Sequence, residues 1–361
     1  MTARTRGTVR IVGTGLLGAS IGHALTAMGV DVVLADASRA AVALAVDYGA
    51  GRAATPDDEP TLVVVAVPPD ATADVVLVEL LAHPAATVTD VASVKSGILA
   101  ALVAADADLS RYVGSHPMAG RERAGAVASR ADLFLGRPWV ISAGGSASDT
   151  AVRAVEDLAL DLGATPLRMD AATHDAAVAL VSHVPQLAAS LLAKRLVGAA
   201  PDAIALAGQG LRDTTRIAAS DPALWVQILD ANAATVLPLL QGMRDDLDAA
   251  IAALADPSAP GARRAIAELI AAGGAGVARI PGKHGSSKRF ASVTVLVDDR
   301  PGELARLLTE IGSLGVNMED LRLEHSPGAQ IGLAEIAVLP EAEDRLVADL
   351  TAAGWRIGVT E

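Results

Sequence analysis

His116 lies in "GSHPMAGRERAG", residues 114–125, where glycines, a proline and charges interrupt a chain otherwise rich in Ala, Val and Leu. A neutral imidazole, with an ordinary pKa near ~6.5, suits removal of a hydroxyl proton, which a dehydrogenase acting on an alcohol carbon requires. "TDVASVKSG", residues 89–97, puts Ser93 and Lys95 in a similar setting, just after an apolar strand. Ser93, Lys95 and His116 are therefore expected to converge on one edge of a sheet, with Ser93 bonding the substrate hydroxyl or orienting the imidazole. His174 and His183 fall in an apolar helical pattern, where either alone reads more simply as a packed residue. Arg212 and Arg216 in "GQGLRDTTRIAASDPALW" differ. Arginine is costly among Leu and Ala unless paired, and its planar fork matches a carboxylate. Asp213 and Asp221 are the alternative, purely structural partners.

Other chemistries fit less well. The chain has no cysteine, which excludes disulfides, thiolate catalysis and cysteine-bound metal. Ser93 has no G-x-S-x-G context, so a serine hydrolase is not indicated. "GVARIPGK" places five residues between Gly276 and Gly282, and His284 where a phosphate loop needs Ser or Thr. No His or carboxylate spacing resembles a closed metal site.

The elements that must position these groups begin with "VRIVGTGLLGASIGHAL", in which Gly13, Gly15 and Gly18 follow an apolar strand and open a helix at Leu16 and Leu17. That is the dinucleotide-binding arrangement: a tight turn at Gly13, close approach of a pyrophosphate at Gly15, and close helix-to-strand packing at Gly18. Asp36, 18 residues after Gly18, stands where a carboxylate holds the ribose hydroxyls of NAD and repels the 2′-phosphate of NADP, while Arg39 nearby leaves some NADP use open. His23, inside the same helix, reads as a bystander. "VAVPPD" turns the chain at a strand end, so Val67 and Pro68 are expected to wall the nicotinamide pocket.

In the first half, β-branched runs alternate with alanine-rich stretches, which implies an α/β Rossmann-type parallel sheet covered on both faces. This dinucleotide-binding domain spans 1–169. Strands vanish over 170–272, an all-helical domain, and 273–289 concentrates Gly, Pro and basic residues as a linker. Residues 290–361 read as strand, helix, two strands, helix, a small α+β module. Length alone calls for two or three domains. A net charge of −13 argues against a nucleic-acid partner. The N-terminus shows no signal-peptide core and no apolar stretch approaches the ~20 residues of a membrane span, so a soluble, cytoplasmic protein with no membrane partner is expected.

Taken in order, "GTGLLGASIG", "DVASVKS", "GSHPMAGRE", "THDAAVALVSHVPQ" and "LRDTTRIAASDPALW" resemble the motifs of the prephenate and arogenate dehydrogenases of tyrosine biosynthesis, over roughly residues 8–285. The tail, with "DRPGELARLLTEIGSLGVNMEDL", resembles an ACT regulatory domain of ferredoxin-like fold. The resemblance implies NAD-dependent oxidative decarboxylation of a cyclohexadienyl alcohol, with His116 as catalytic histidine and Ser93 as its partner. It implies that Arg216 binds a substrate carboxylate, that Trp225 lies near the pocket, that Glu122 stands at its entrance, and that the helical domain forms a homodimer. His183 matches the first histidine of the family's S-H-x-P-H pattern, and Gln186 replaces the second. Lys95 and Arg212 would add positive charge around the substrate. Prephenate is the expected substrate and arogenate the alternative. Gln186, which can donate and accept, tolerates an ammonium better than a histidine would. An amino-acid effector, tyrosine above all, is expected at Asp299, Pro301, Gly302 and Asn317. Two other readings stay open: a β-hydroxyacid dehydrogenase using Lys194, and a catalytically silent sensor of NAD and amino acids.

Overall fold

The computed structural model describes residues 3–120, 125–280, 290–325 and 331–358. Its larger sheet contains β1 (Thr8–Val12), β2 (Val32–Ala35), β3 (Arg52–Ala53), β4 (Pro60–Val65), β5 (Thr87–Asp90), β6 (Tyr112–Pro117), β7 (Pro138–Ser142) and β8 (Thr165–Arg168). The order is β3-β2-β1-β4-β5-β6-β7-β8. Strands β1 to β6 are mutually parallel, as expected. The far edge is not: β7 runs antiparallel to β6, and β8 parallel to β7. A parallel return needs a crossover, and the β6–β7 connection holds no α-helix among the described residues, whereas helix Asp149–Asp161 provides one between β7 and β8.

The central strand β4, "PTLVVV", is an almost unbroken apolar run because both its faces are covered. On one face Val9, Ile11 and Leu25 pack with Val155, Leu158 and Trp139. On the other, Val63 and Val65 meet Val76, Leu80, Ile98 and Leu102. The strand order reverses between β1 and β4, and the chain emerging from each at its carboxyl end borders the crevice where open α/β sheets bind ligands.

Helices occupy 171–277, five residues beyond the expected boundary at 272. Gly273, Gly274 and Gly276 each cost helix stability, about 1 kcal/mol relative to Ala, but do not forbid helix Ala262–Val277. The rest of the expected linker, 281–289, lies outside the described residues. Residues 1–193 with 217–242 form one compact unit, and 194–216 with 243–361 another, so the helical region is shared between two units. The run Ala171–Leu196 is, by length and composition, apolar enough to cross a membrane, which corrects the expectation of short apolar stretches. Its buried residues include the polar His174, Asp175, His183 and Gln186.

The C-terminal module has β9 (Ala291–Asp298), β10 (Asp320–His325), β11 (Ile331–Val338) and β12 (Arg356–Ile357) in an antiparallel sheet ordered β10-β11-β9-β12. Alternation along β9 places Val293, Val295 and Val297 against Leu307, Ile311, Leu346 and Leu350 of its two helices. β12, too short to register as a strand in the sequence, completes a β-α-β-β-α-β order.

Candidate active site

The glycine loop meets the demands of a pyrophosphate site. Gly13 has φ +99°, and a Cβ there would lie 2.4 Å from the Ala66 carbonyl oxygen, so β1 and the chain leaving β4 touch at this point. A Cβ on Gly18 would lie 1.9 Å from the Gly13 carbonyl oxygen. Around Gly15, by contrast, no atom comes within 4 Å of a Cβ position, which leaves backbone open at the start of helix Leu16–Ala27. Asp36, just after β2, accepts the Thr14 N–H at 2.8 Å and the Ser38 N–H at 2.9 Å. Partial burial pushes its carboxyl pKa up, but these bonds and the Thr14 hydroxyl outweigh it and hold the group below the ordinary carboxylate value. A cleft of about 690 Å³ opens beside Asp36, lined also by Leu34, Arg39, Val42 and Thr55. Val67 and Pro68 follow β4 at the switch point.

His116 is the penultimate residue of strand β6, whose six residues are all buried. Its Nδ1 lies 2.9 Å from His174 Nε2, and His174 Nδ1 lies 2.8 Å from an Asp175 carboxylate oxygen. The carboxylate can only accept, so His174 donates from Nδ1 and accepts at Nε2 a hydrogen bond donated by His116 Nδ1–H. The chain leaves His116 Nε2 with a bare lone pair. Burial, followed by the neighbouring His174, Lys95 and His183, pushes the His116 pKa well below its ordinary value, against the opposing pull of Asp175.

Asp175 also accepts the backbone N–H of Lys95 at 2.9 Å and of Ser96 at 2.8 Å, capping helix Ser96–Ala104 from another part of the chain. Burial raises its pKa, and the bonds from His174, Ser96 and Lys95 overcome that and bring it to about 2.

Pro185 cannot donate to the carbonyl four residues earlier, and the helix widens into a π turn over Ala179–His183 just before it. In an uninterrupted α-helix, nine residues make about two and a half turns and would put His183 on the face opposite His174. The π turn brings both into one cluster. Asn232 Nδ2 lies 2.9 Å from the Asp175 backbone oxygen and 3.1 Å from His183 Nδ1. Burial takes the His183 pKa down to about 4. The ring meets Trp225 edge-on, with centroids 6.0 Å apart. Gln186, on the next turn, is buried and accepts from the Ser220 hydroxyl at 3.4 Å.

A model of the prephenate dehydrogenase nucleotide-binding domain matches residues 21–168, and one of the prephenate dehydrogenase dimerization domain matches 170–268. A probable prephenate dehydrogenase, NovF, of Streptomyces niveus is 36% identical over 356 residues, covering 96% of this chain and 98% of that protein. The chain belongs to the prephenate dehydrogenase family. A prephenate dehydrogenase of Bacillus subtilis is 29% identical over 244 residues, covering 64% of this chain and 65% of its own. Among solved structures, Aquifex aeolicus prephenate dehydrogenase in complex with hydroxyphenyl propionate and NAD+ superposes with a TM-score of 0.66 at 26% identity, covering 76% of this chain and 98% of that one.

Against the expectations for this prephenate dehydrogenase family member, Lys95 requires correction. It is 2% exposed, and its ammonium pairs with Asp90, which also accepts the Tyr112 hydroxyl at 2.6 Å. A substrate cannot reach a charge so placed; Lys95 anchors the turn between β5 and its helix. Burial lowers its pKa, with the Asp90 charge opposing. Ser93 is half-buried and makes no side-chain hydrogen bond among the described residues. His174, not Ser93, holds the His116 ring. Arg212 (helix Gln209–Thr215) and Arg216 (the turn Arg216–Ala218) are exposed, in the second compact unit, and form no ion pair among the described residues. Their alternative partners are engaged elsewhere: Asp213 accepts from Gln209, and Asp221 caps helix Pro222–Ala231. Glu122 lies outside the described residues. In the C-terminal module a cavity of about 730 Å³ is lined by Asp299 with Asp298, Arg300, Glu303, Arg306 and Trp355; Pro301, Gly302 and Asn317 are not among its lining residues.

His174, Asp175, Asp90 and Asn232 were missed as site residues. The "THD" of residues 173–175 was the available signal, since a His–Asp pair on an apolar helix needs a polar partner to be buried.

Proposed function

We propose that this chain catalyses the NAD-dependent oxidative decarboxylation of prephenate to 4-hydroxyphenylpyruvate, with His116 as the base. The Asp175–His174–His116 chain carries the reading, because it fixes a neutral imidazole with its lone pair outward at the carboxyl edge of a dinucleotide-binding sheet. When bound, NAD supplies the acceptor for the hydride that leaves the hydroxyl-bearing ring carbon. His116 Nε2 takes the hydroxyl proton, and the charge it gains is stabilised through His174 by the Asp175 carboxylate. The ring carboxylate leaves as carbon dioxide, its bonding pair passing into the ring, which becomes aromatic. Gly13, Gly15, Leu16, Leu17, Gly18 and Asp36 hold the dinucleotide, with Val67 and Pro68 at the nicotinamide end. Ser93 is the expected partner of the reacting hydroxyl, Arg216 of a substrate carboxylate, and His183, Gln186 and Trp225 line the remainder.

Arogenate is the second substrate reading, favoured by the Gln186 amide, whose oxygen can face an ammonium. Lys194, exposed in the turn Lys194–Leu196, offers little to a β-hydroxyacid dehydrogenase. The helical region supports a homodimer, as helix Ala233–Ala255 exposes a stripe of Met243, Leu247, Ile251 and Leu254 that a second copy would cover. The C-terminal module fits an ACT-type regulator with tyrosine as effector, and a cytoplasmic location suits a cysteine-free enzyme of this kind. NADH formation by the purified enzyme with prephenate, arogenate and a β-hydroxyacid tests the assignment. Prephenate is expected to react best. Arogenate preferred by more than about tenfold overturns the substrate, and reaction with the hydroxyacid alone overturns the class.

A further inference from the structure

The Asn232 amide determines which nitrogen of His183 carries the proton. The Asp175 backbone oxygen is only an acceptor, so the Asn232 atom 2.9 Å from it must be the NH2 group. That same nitrogen lies 3.1 Å from His183 Nδ1 and directs its second hydrogen there. His183 Nδ1 is therefore the acceptor, and the proton of the neutral ring sits on Nε2. Both residues are buried, at 4% and 2% exposure, so water does not compete for either bond. Asn232 ties the His183 ring to the backbone of Asp175, whose neighbour His174 bonds His116, and Nε2 makes no hydrogen bond among the described residues. A ring so held offers one donor and no acceptor.

Resting on the proposed function above, we propose that Asn232 is a positioning residue that locks His183 as an Nε2–H donor, and that His183 thereby selects a substrate presenting an oxygen acceptor and refuses one presenting an ammonium. A keto or carboxylate oxygen can take the Nε2 proton. An ammonium brings only donors, and opposing it to Nε2–H leaves both groups without a partner in a buried setting.

Two measurements on the full-length enzyme test this separately. Nitrogen-15 NMR of the imidazoles, with the His183 signals identified by their loss in His183→Gln, should show Nε2 protonated and Nδ1 bare at neutral pH. Protonation at Nδ1, or a charged ring, overturns the lock whatever the enzyme's activity. The ratio of kcat/KM for arogenate over prephenate should then rise roughly 10-fold or more in Asn232→Asp, whose carboxylate would draw the proton to Nδ1 and bare Nε2 toward the substrate. An unchanged ratio in a variant whose spectrum shows the switched tautomer overturns the selection. Should Asn232→Asp fail to fold, His183→Gln serves, since its amide can turn either an NH2 or an oxygen outward; the ratio should rise several-fold, and an unchanged ratio again overturns the selection. Absence of NADH from either substrate with the wild-type enzyme overturns the proposed function instead, and the tautomer measurement stands apart from it.

Discussion

A single carboxylate, Asp175, organises the candidate active site, since it orients His174 and through it His116, the proposed base, and also holds the backbone of the turn that contains Ser93 and Lys95. Asp175→Asn replaces an acceptor-only group by an amide that must face its NH2 toward one of three donors. Turnover is expected to fall roughly 10- to 100-fold with NAD affinity retained, measured as kcat beside a dinucleotide titration. The pH profile follows from burial. A histidine whose pKa is depressed in the folded state stays neutral as pH falls through its ordinary value near ~6.5 and protonates only below it. The acid limb of kcat should therefore lie below pH ~6.5, and a limb centred at or above that value would show that His116 is not the titrating base. At this scale the sequence disclosed the imidazole but not its support. His116 stands out among glycines, whereas His174 looks like any packed residue until a partner 58 positions away meets it. Lys95 misled for the same reason: charge is visible in a sequence, and the Asp90 that consumes it is visible only in the fold.

Among the elements, local pattern was a good guide wherever both faces or one face of a strand dictate its composition. The first strand, the glycine loop and the acid after β2 were legible together, because tight turning, phosphate approach and packing each demand glycine. Legibility failed for the two-residue strand β3, for β8 at the sheet edge, and for the direction of β7, which depends on the absence of a crossover. The π turn before Pro185 also escaped, since periodicity assumes a constant helical pitch. The element proposed to fix cofactor choice is the loop–Asp36 pair. Asp36→Ser removes the charge that repels a 2′-phosphate, with Arg39 left in the same cleft, so the preference for NAD over NADP should narrow. Steady-state kinetics with both cofactors checks this, and a wild-type preference for NADP would contradict the role given to Asp36.

For the whole molecule, the two compact units cut across the helical region, so the boundary expected at 170 marks the end of the sheet but not the end of the unit that holds His116. Separation in sequence hid this, since 217–242 returns to the first unit after 194–216 has joined the second. Removing the tail from Phe290 should leave turnover in place while abolishing any sensitivity to tyrosine, and rate measurements with and without tyrosine on both forms decide it. The role proposed for His116, as base of an NAD-dependent dehydrogenation, is tested by NADH formation from prephenate by His116→Asn beside the wild type, with NAD binding measured on both. A loss of roughly 10²- to 10⁴-fold in kcat with NAD affinity unchanged is expected; turnover within a few-fold of the wild type would show that His116 is not the base.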